Sequence, residues 1–223
     1  MTPGLAPGPS NQTRQMTHDE TAPSWGEAML VVKLGGSLAG SPHLRPWLGA
    51  IAAAGGPAAA VVPGGGPFAA AVRETQHLMR YGDHAAHAMA VLAMAQYGIA
   101  LASLDARLVA AADEAAIAGA LAGRRVPVWT PLAPPPDLPA SWDITSDSLA
   151  LWLARRLGAA GLLLVKSRPA EAADPAALRR AGLLDAAFPG LCADFAGAVF
   201  VAGPDALPKA ALDPRQPPGV RIH

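Results

Sequence analysis

A single cysteine, Cys192, is all the thiol this 223-residue chain carries. No internal disulfide can form, and a cytosolic, reducing compartment fits that usage best. Cys192 itself reads as a small core residue. Net charge is also missing, because 17 Lys and Arg are balanced by 17 Asp and Glu. Without a basic excess, neither nucleic acid nor an anionic membrane surface is an expected partner. There is no internal repeat. There is no long hydrophobic run either: the most apolar window, Met89 to Leu104, is Ala-rich and broken by Gln96 and Gly98. No membrane span is therefore expected. Apolar residues nevertheless reach 52% of the chain, which excludes wholesale disorder and supports a substantial core.

Residues 1–28 lack the apolar h-region of a secretory signal and read as a disordered leader, with Met16 and Met29 as candidate starts. From Met29 onward, strand-like and helix-like segments alternate. Met29 to Leu34 is a continuous apolar run of strand length, the pattern of a strand buried on both faces. Pro42 to Ala54 follows as a helix stopped by Gly55-Gly56, and Ala58 to Val62 is a second strand. A helix starts at Pro67 with Phe68, Val72 and Met79 on one stripe. Ala85 to Tyr97 is the next helix, closed by Gly98, and Ala110 to Leu121 is another. Arg125 to Thr130 is a strand, and Pro131 to Pro139 is a surface loop that proline excludes from helix and central strand. A helix from Thr145 to Leu157, a strand over Gly161 to Val165, a strand over Ala198 to Ala202 and a short helix from Pro204 to Leu212 complete the pattern. Such alternation implies an α/β fold, a mostly parallel sheet with helices on both faces. In such sheets ligands gather at the carboxyl ends of the strands.

Three features fall at those ends. The first is Lys33-Leu34-Gly35-Gly36-Ser37, where bare backbone N–H groups and a point charge stand together. Its spacing is neither a Walker A loop nor G-x-G-x-x-G. The second is Gly64-Gly65-Gly66 before a helix, either an anion cradle or a flexible hinge; three glycines carry an entropic cost and no packing value. The third is Thr145-Ser146-Asp147-Ser148 at a helix start, with Lys166 at the end of the next strand. Taken alone, Thr145 or Asp147 is simply an N-cap and Lys166 a solvated strand terminus. Taken together, two lysines and two glycine turns converge on one sheet edge, with an aspartate able to hold the lysines. Phosphoryl transfer needs that arrangement, since its catalysis is mostly positioning and electrostatic stabilisation. His84 and His87 share a helix face, but no third metal ligand is evident, so no metal site is expected in the protein itself.

The K-x-G-G-S turn, the G-G-G turn and the T-x-D-S-x-A helix start, in that order, resemble the amino acid kinase superfamily, the fold of acetylglutamate, aspartate and uridylate kinases. The resemblance covers roughly Met29 to His223. It implies a three-layer αβα sandwich, with an acceptor half over about residues 29–125 and a nucleotide half over about 126–223. Lys166 followed by Asp174-Pro175 is similar to the nucleotide-side segment of uridylate kinases, and Pro218 to Ile222 to the family's final strand. Val62 to Ala69, Arg73, His87 to Ala90 and Gln96-Tyr97-Gly98 resemble the [5-(aminomethyl)furan-3-yl]methyl phosphate kinases of methanofuran biosynthesis. Their acceptor is a phosphate monoester and their product a diphosphate.

The resemblance implies ATP and Mg²⁺ as cofactors, a small-molecule phosphate acceptor as partner and a homo-oligomer; the apolar helix carrying Met89, Leu92 and Met94 suits either deep burial or a subunit interface. It gives Lys33, Asp147 and Lys166 the catalytic roles. Gly35, Gly36, Ser37, Thr145 and Ser146 would line the nucleotide and phosphate track. Gly64, Gly65, Gly66, Arg73 and His87 would face the acceptor. Arg73 reads equally as a solvated helix arginine, and His87 equally as a packing residue. Two departures stand out. Ser167-Arg168-Pro169-Ala170 replaces the V-D-G-V of uridylate kinases, which puts the adenine-side loop in question. Pro67-Phe68 stands where isopentenyl phosphate kinases keep a histidine, which argues against that activity. Two alternatives stay open: a carboxylate acceptor of the acetylglutamate type, and a non-catalytic nucleotide- or oxyanion-binding protein.

Overall fold

The computed structural model describes residues 29–223; the expected leader lies outside the described residues. Seven strands form one sheet in the order β3-β4-β2-β1-β5-β6-β7. β1 (Leu30–Leu34) is central, paired in parallel with β2 (Ala59–Pro63) on one side and β5 (Gly161–Val165) on the other. Lys33 stands in register with Val62 and Leu164. β4 (Val126–Trp129) and β3 (Leu108–Ala111) extend the sheet beyond β2, and β6 (Ala198–Ala202) beyond β5, all parallel. Only β7 (Val220–Arg221) runs antiparallel, against β6. After β4 the chain crosses from one side of β1 to the other. The carboxyl ends of β1, β2 and β5 therefore flank a topological switch point, where open α/β sheets leave a crevice.

Alternate residues of the central strands feed two cores. Leu30, Val32 and Leu34 pack with Trp47, Leu48 and Ile51 of α1 (Leu44–Ala54) on one face. Val31, Ala60, Val62 and Leu164 pack on the other with Ile117 of α4 (Glu114–Ala122), Leu149 and Leu153 of α5 (Ser146–Arg156) and Phe188 of α7 (Phe188–Cys192). A sheet buried on both sides by helices is the α/β sandwich that the alternation implied. Lys33 follows Val31 on the α5 side, so its ammonium is carried beneath the start of that helix.

Four segments differ from expectation. Leu108–Ala111 is a strand, and α4 begins only after Asp113, whose carboxylate accepts from the Ala116 N–H at 2.8 Å. Alanine propensity across 110–112 concealed this boundary, since pairing with β4 outweighs a weak local preference. α3 (Asp83–Ala102) runs straight through Gly98. A Cβ there would lie 2.9 Å from both Thr130 Cγ2 and the Trp129 carbonyl oxygen, so Gly98 lets the helix lie close on the end of β4. The stretch 204–212 is not helical, because its backbone is bound to α1: Trp47 Nε1 donates to the Pro204 carbonyl at 2.9 Å, and the Leu212 N–H to Ala50 at 2.9 Å. In α2 (Gly66–Met79) only Val72 is buried, while Phe68 and Met79 are exposed, so the expected stripe does not seat in a core. α3 is long and apolar enough to cross a bilayer by composition, yet half of its most apolar window is buried within the fold.

Candidate active site

Two glycine turns meet at the switch point. The first leaves β1 through Gly35 into a 3₁₀ turn, Gly36–Leu38. The second leaves β2 through Gly64-Gly65-Gly66 into α2. The Gly64 N–H donates to the Leu34 carbonyl at 2.8 Å, and the Gly35 N–H to Val165 at 2.9 Å, so the turns stay laced to three strand ends. A Cβ on Gly36 would lie 2.3 Å from the Gly66 nitrogen, and one on Gly64 would lie 2.3 Å from the Gly36 nitrogen. The expectation that these glycines have no packing value is therefore corrected. They allow backbone to lie directly on backbone. Gly66 also takes a φ of +54, a left-handed conformation suited to glycine, with the Tyr97 ring against it.

Beneath the turns lies a buried triad. Asp147 Oδ1 is 2.9 Å from Lys33 Nζ, and Asp147 Oδ2 is 2.6 Å from Lys166 Nζ. All three side chains are at least nine-tenths buried. Lys166 is set by its backbone, whose N–H donates to Ala202 of β6 at 2.8 Å. Burial alone would push the Asp147 carboxyl up, but the adjacent ammoniums of Lys166 and Lys33 reverse this and hold it well below the ordinary carboxylate range. Lys166 is lowered too, toward its neutral form. Burial pulls it down to about 8, Asp147 opposes that, and Lys33 adds to it. The triad thus carries two potential cations for one anion at the edge where strand ends meet.

Asp147 is free for this role because another residue caps its helix. Thr145 occupies the N-cap position of α5 without a side-chain cap bond. Asp185 does the capping instead. Its carboxylate accepts from the Thr145 and Ser148 N–H groups at 2.9 and 3.0 Å and from both hydroxyls, at 2.9 and 2.6 Å. Sequence reasoning missed Asp185. It lies 37 residues beyond Ser148, outside any capping spacing, and no local signal could have found it. Asp174, noted for its place after Lys166, caps α6 (Pro175–Arg180), accepting from the Ala176 and Ala177 N–H groups at 3.0 Å.

A cavity of about 890 Å³ opens beside the turns. Gly36, Ser37, Gly65, Gly66, Arg73, His87, Thr145 and Ser146 line it, together with Ala69, Ala90, Val91, Met94, Trp142 and Leu149. Lys33, Gly35, Gly64, Asp147 and Lys166 do not line it. Its walls are mainly apolar. Arg73, which projects from α2, forms no salt bridge among the described residues; its guanidinium carbon lies 4.2 Å from the centroid of the Trp142 ring. His87 on α3 is 4% exposed, and its Nε2 has no hydrogen-bond partner. Burial lowers its pKa below the ordinary value, against a smaller opposing effect of the Ser141 carbonyl, so the ring is neutral at pH 7. Among the described residues no three His, Cys, Asp or Glu side chains are grouped to hold a metal ion.

Architecture and site define an α/β protein with a crevice at the ends of its parallel strands. The chain belongs to the amino acid kinase family, whose model matches residues 28–169. Family membership supports a kinase, a phosphotransferase, as its class. Among curated protein sequences, none matches. Similar solved structures include the uridylate kinase of Archaeoglobus fulgidus, at 17% identity and a TM-score of 0.65, covering 87% of this chain and all of that one. The UMP kinase of Bacillus anthracis, at 14% identity and a TM-score of 0.58, covers 80% of this chain and 88% of that one. That of Ureaplasma parvum, at the same identity and TM-score, covers 80% and 91%. At such identities the likeness is one of fold.

Proposed function

We infer that this protein is an ATP-dependent phosphotransferase that acts on a phosphate monoester to give a diphosphate. The acceptor in this reading is [5-(aminomethyl)furan-3-yl]methyl phosphate, in methanofuran biosynthesis. The observation that carries the reading is one carboxylate, Asp147, shared between two buried lysines behind paired glycine turns. Such a group has no need of a covalent nucleophile. Lys33 and Lys166 bring positive charge to the non-bridging oxygens of the transferring phosphoryl group, and Asp147 fixes both ammoniums in place. Gly35, Gly36 and Ser37, with Thr145 and Ser146 at the start of α5, form the phosphate track. Gly65 and Gly66 bring backbone against the acceptor, and Gly64 packs on Gly36 behind them.

These residues fit a bound nucleoside triphosphate, since two ammoniums against one carboxylate leave net positive charge there. ATP supplies the phosphoryl group when bound. Mg²⁺ would be carried by the nucleotide phosphates, because Asp147 is committed to the lysines and, among the described residues, no three His, Cys, Asp or Glu side chains are grouped to hold a metal ion. The acceptor half, about residues 29–125, supplies Arg73, His87 and the glycine turns; the nucleotide half, about 126–223, supplies Asp147 and Lys166. Met89, Leu92 and Ile99, exposed on α3, suit contact with a second copy of the chain.

A carboxylate acceptor is the second reading, because an un-neutralised Arg73 would hold a carboxylate as well as a phosphate. The test is ADP release from ATP and Mg²⁺ over a panel of the furan phosphate, UMP, isopentenyl phosphate and N-acetylglutamate, with Lys33→Ala alongside. Turnover with the furan phosphate alone, reduced about a hundredfold or more in the variant, is the expected result. A hydroxylamine-reactive product from N-acetylglutamate would favour the second reading. Nucleotide binding with silence across the panel would favour a binding protein.

A further inference from the structure

We propose that Trp142 is a positioning residue for the acceptor, acting through Arg73. The proposal rests on the acceptor reading above. A free arginine on an exposed helix samples many rotamers, and a phosphate contact must then order it. Here the guanidinium lies on the Trp142 ring, with its carbon 4.2 Å from the centroid. The ring is itself fixed. Trp142 Nε1 donates to Gln76 Oε1 at 2.7 Å, and Gln76 Nε2 donates to Asp83 Oδ1 at 2.8 Å and to the Tyr81 carbonyl at 3.3 Å. The indole also packs on Val72, Ala86 and Ala93, between α2 and α3. A stacked guanidinium keeps its in-plane N–H donors available to an anion, and stacking does not cancel its charge as a carboxylate would.

Charge placement supports the assignment. The two lysines are shared with Asp147 behind the turns, whereas Arg73 is the cation that lines the cavity. The rest of that cavity is apolar apart from hydroxyls and the neutral His87. An acceptor is therefore selected with one anionic group for Arg73 and a compact, mainly apolar body. Trp142 sits in the segment before α5, so the element that delivers Asp147 also orients the acceptor's clamp.

Two measurements test this. The first is calorimetric binding of phenyl phosphate, a flat monoester, to the ADP-saturated protein, across the cycle Trp142→Ala, Arg73→Ala and the double variant. Trp142→Ala should weaken binding about tenfold. Arg73→Ala should weaken it more, and the double variant should be no worse than Arg73→Ala. Trp142→Phe, which keeps a ring, should bind within about threefold of wild type, and Gln76→Leu should weaken binding with the fold intact. The second is steady-state kinetics with the best acceptor. There, Trp142→Ala should raise the acceptor KM while leaving the KM for ATP unchanged. Additive losses in the cycle, an equal rise in the KM for ATP, or no binding of phenyl phosphate by wild type would overturn the proposal. If the cycle behaves as expected but no monoester is phosphorylated, the clamp stands and the phosphate-monoester assignment falls.

Discussion

Asp147→Asn tests the site most directly, because the change is nearly isosteric and leaves no cavity. It removes the carboxylate that, among the described residues, contacts both buried ammoniums, 2.9 Å from Lys33 and 2.6 Å from Lys166. Removing one partner of a buried ion pair costs about 3–5 kcal/mol, since the other charge is left uncompensated. The lower end applies here. Lys166 is already brought down to about 8 with the carboxylate present. Without Asp147, burial and Lys33 push it further down, and shedding a proton at neutral pH relieves part of the cost. At about 2–4 °C per kcal/mol for a domain of this size, a loss of about 3 kcal/mol lowers Tm by about 6–12 °C. The gap from wild type should narrow at pH 9, where the surviving ammonium is more easily neutralised. Turnover should fall about a hundredfold or more, since a neutral Lys166 no longer stabilises developing charge.

The assay is thermal unfolding at pH 7 and pH 9, with ATP turnover in parallel. Asp113→Asn, an exposed cap carboxylate on α4, serves as control and should cost under about 1 kcal/mol. An Asp147→Asn protein that melts within about 2 °C of wild type would show that the two lysines do not depend on the carboxylate, and the electrostatic account of the triad would be wrong.

The pKa of Lys166, about 8, predicts a descending limb in kcat/KM for ATP as pH rises through that value, because the cation is lost from the free protein. Lys166→Arg should remove the limb, and a limb unmoved by that change would assign it to another group. His87 is held below its ordinary value of 6.5 by burial. The unfolded chain therefore binds this proton more readily, so stability falls as pH drops below about 6.5. His87→Gln should flatten that slope in denaturant titrations between pH 7 and pH 5; parallel curves would refute the burial argument. Gly64→Ala sets a methyl group 2.3 Å from the Gly36 nitrogen and should cost about 1–3 kcal/mol along with most of the turnover. Gly49→Ala in α1, with nothing within 4 Å, should instead stabilise by about 0.5–1 kcal/mol. Equal melting temperatures for the two would mean that the turns are not in contact.

The sequence by itself determined the layers and the strand ends that carry the glycine turns and lysines. The apolar run at 30–34, broken only by Lys33, and the run at 161–165 suit strands covered on both faces, and glycine and lysine at their ends mark where polar chemistry can be accommodated. Local pattern failed wherever partners were remote. Alanine at 110–111 is a good helix former, yet pairing with β4 makes it strand. Prolines and turns at 204–212 are held by α1, a contact about 160 residues distant in sequence for Trp47 and Pro204. Only the tertiary structure decided which carboxylate does what. Thr145 and Asp147 both read as caps, and Asp185, brought from the loop before α7, takes that duty and leaves Asp147 to the lysines. The same holds for Arg73, by sequence either an acceptor ligand or a solvated helix arginine, whose guanidinium the fold lays over the Trp142 ring. Periodicity is local and survives in a string of letters; hydrogen-bond partners and charge neighbours are properties of space, and the crossing from β4 over to β5 creates them.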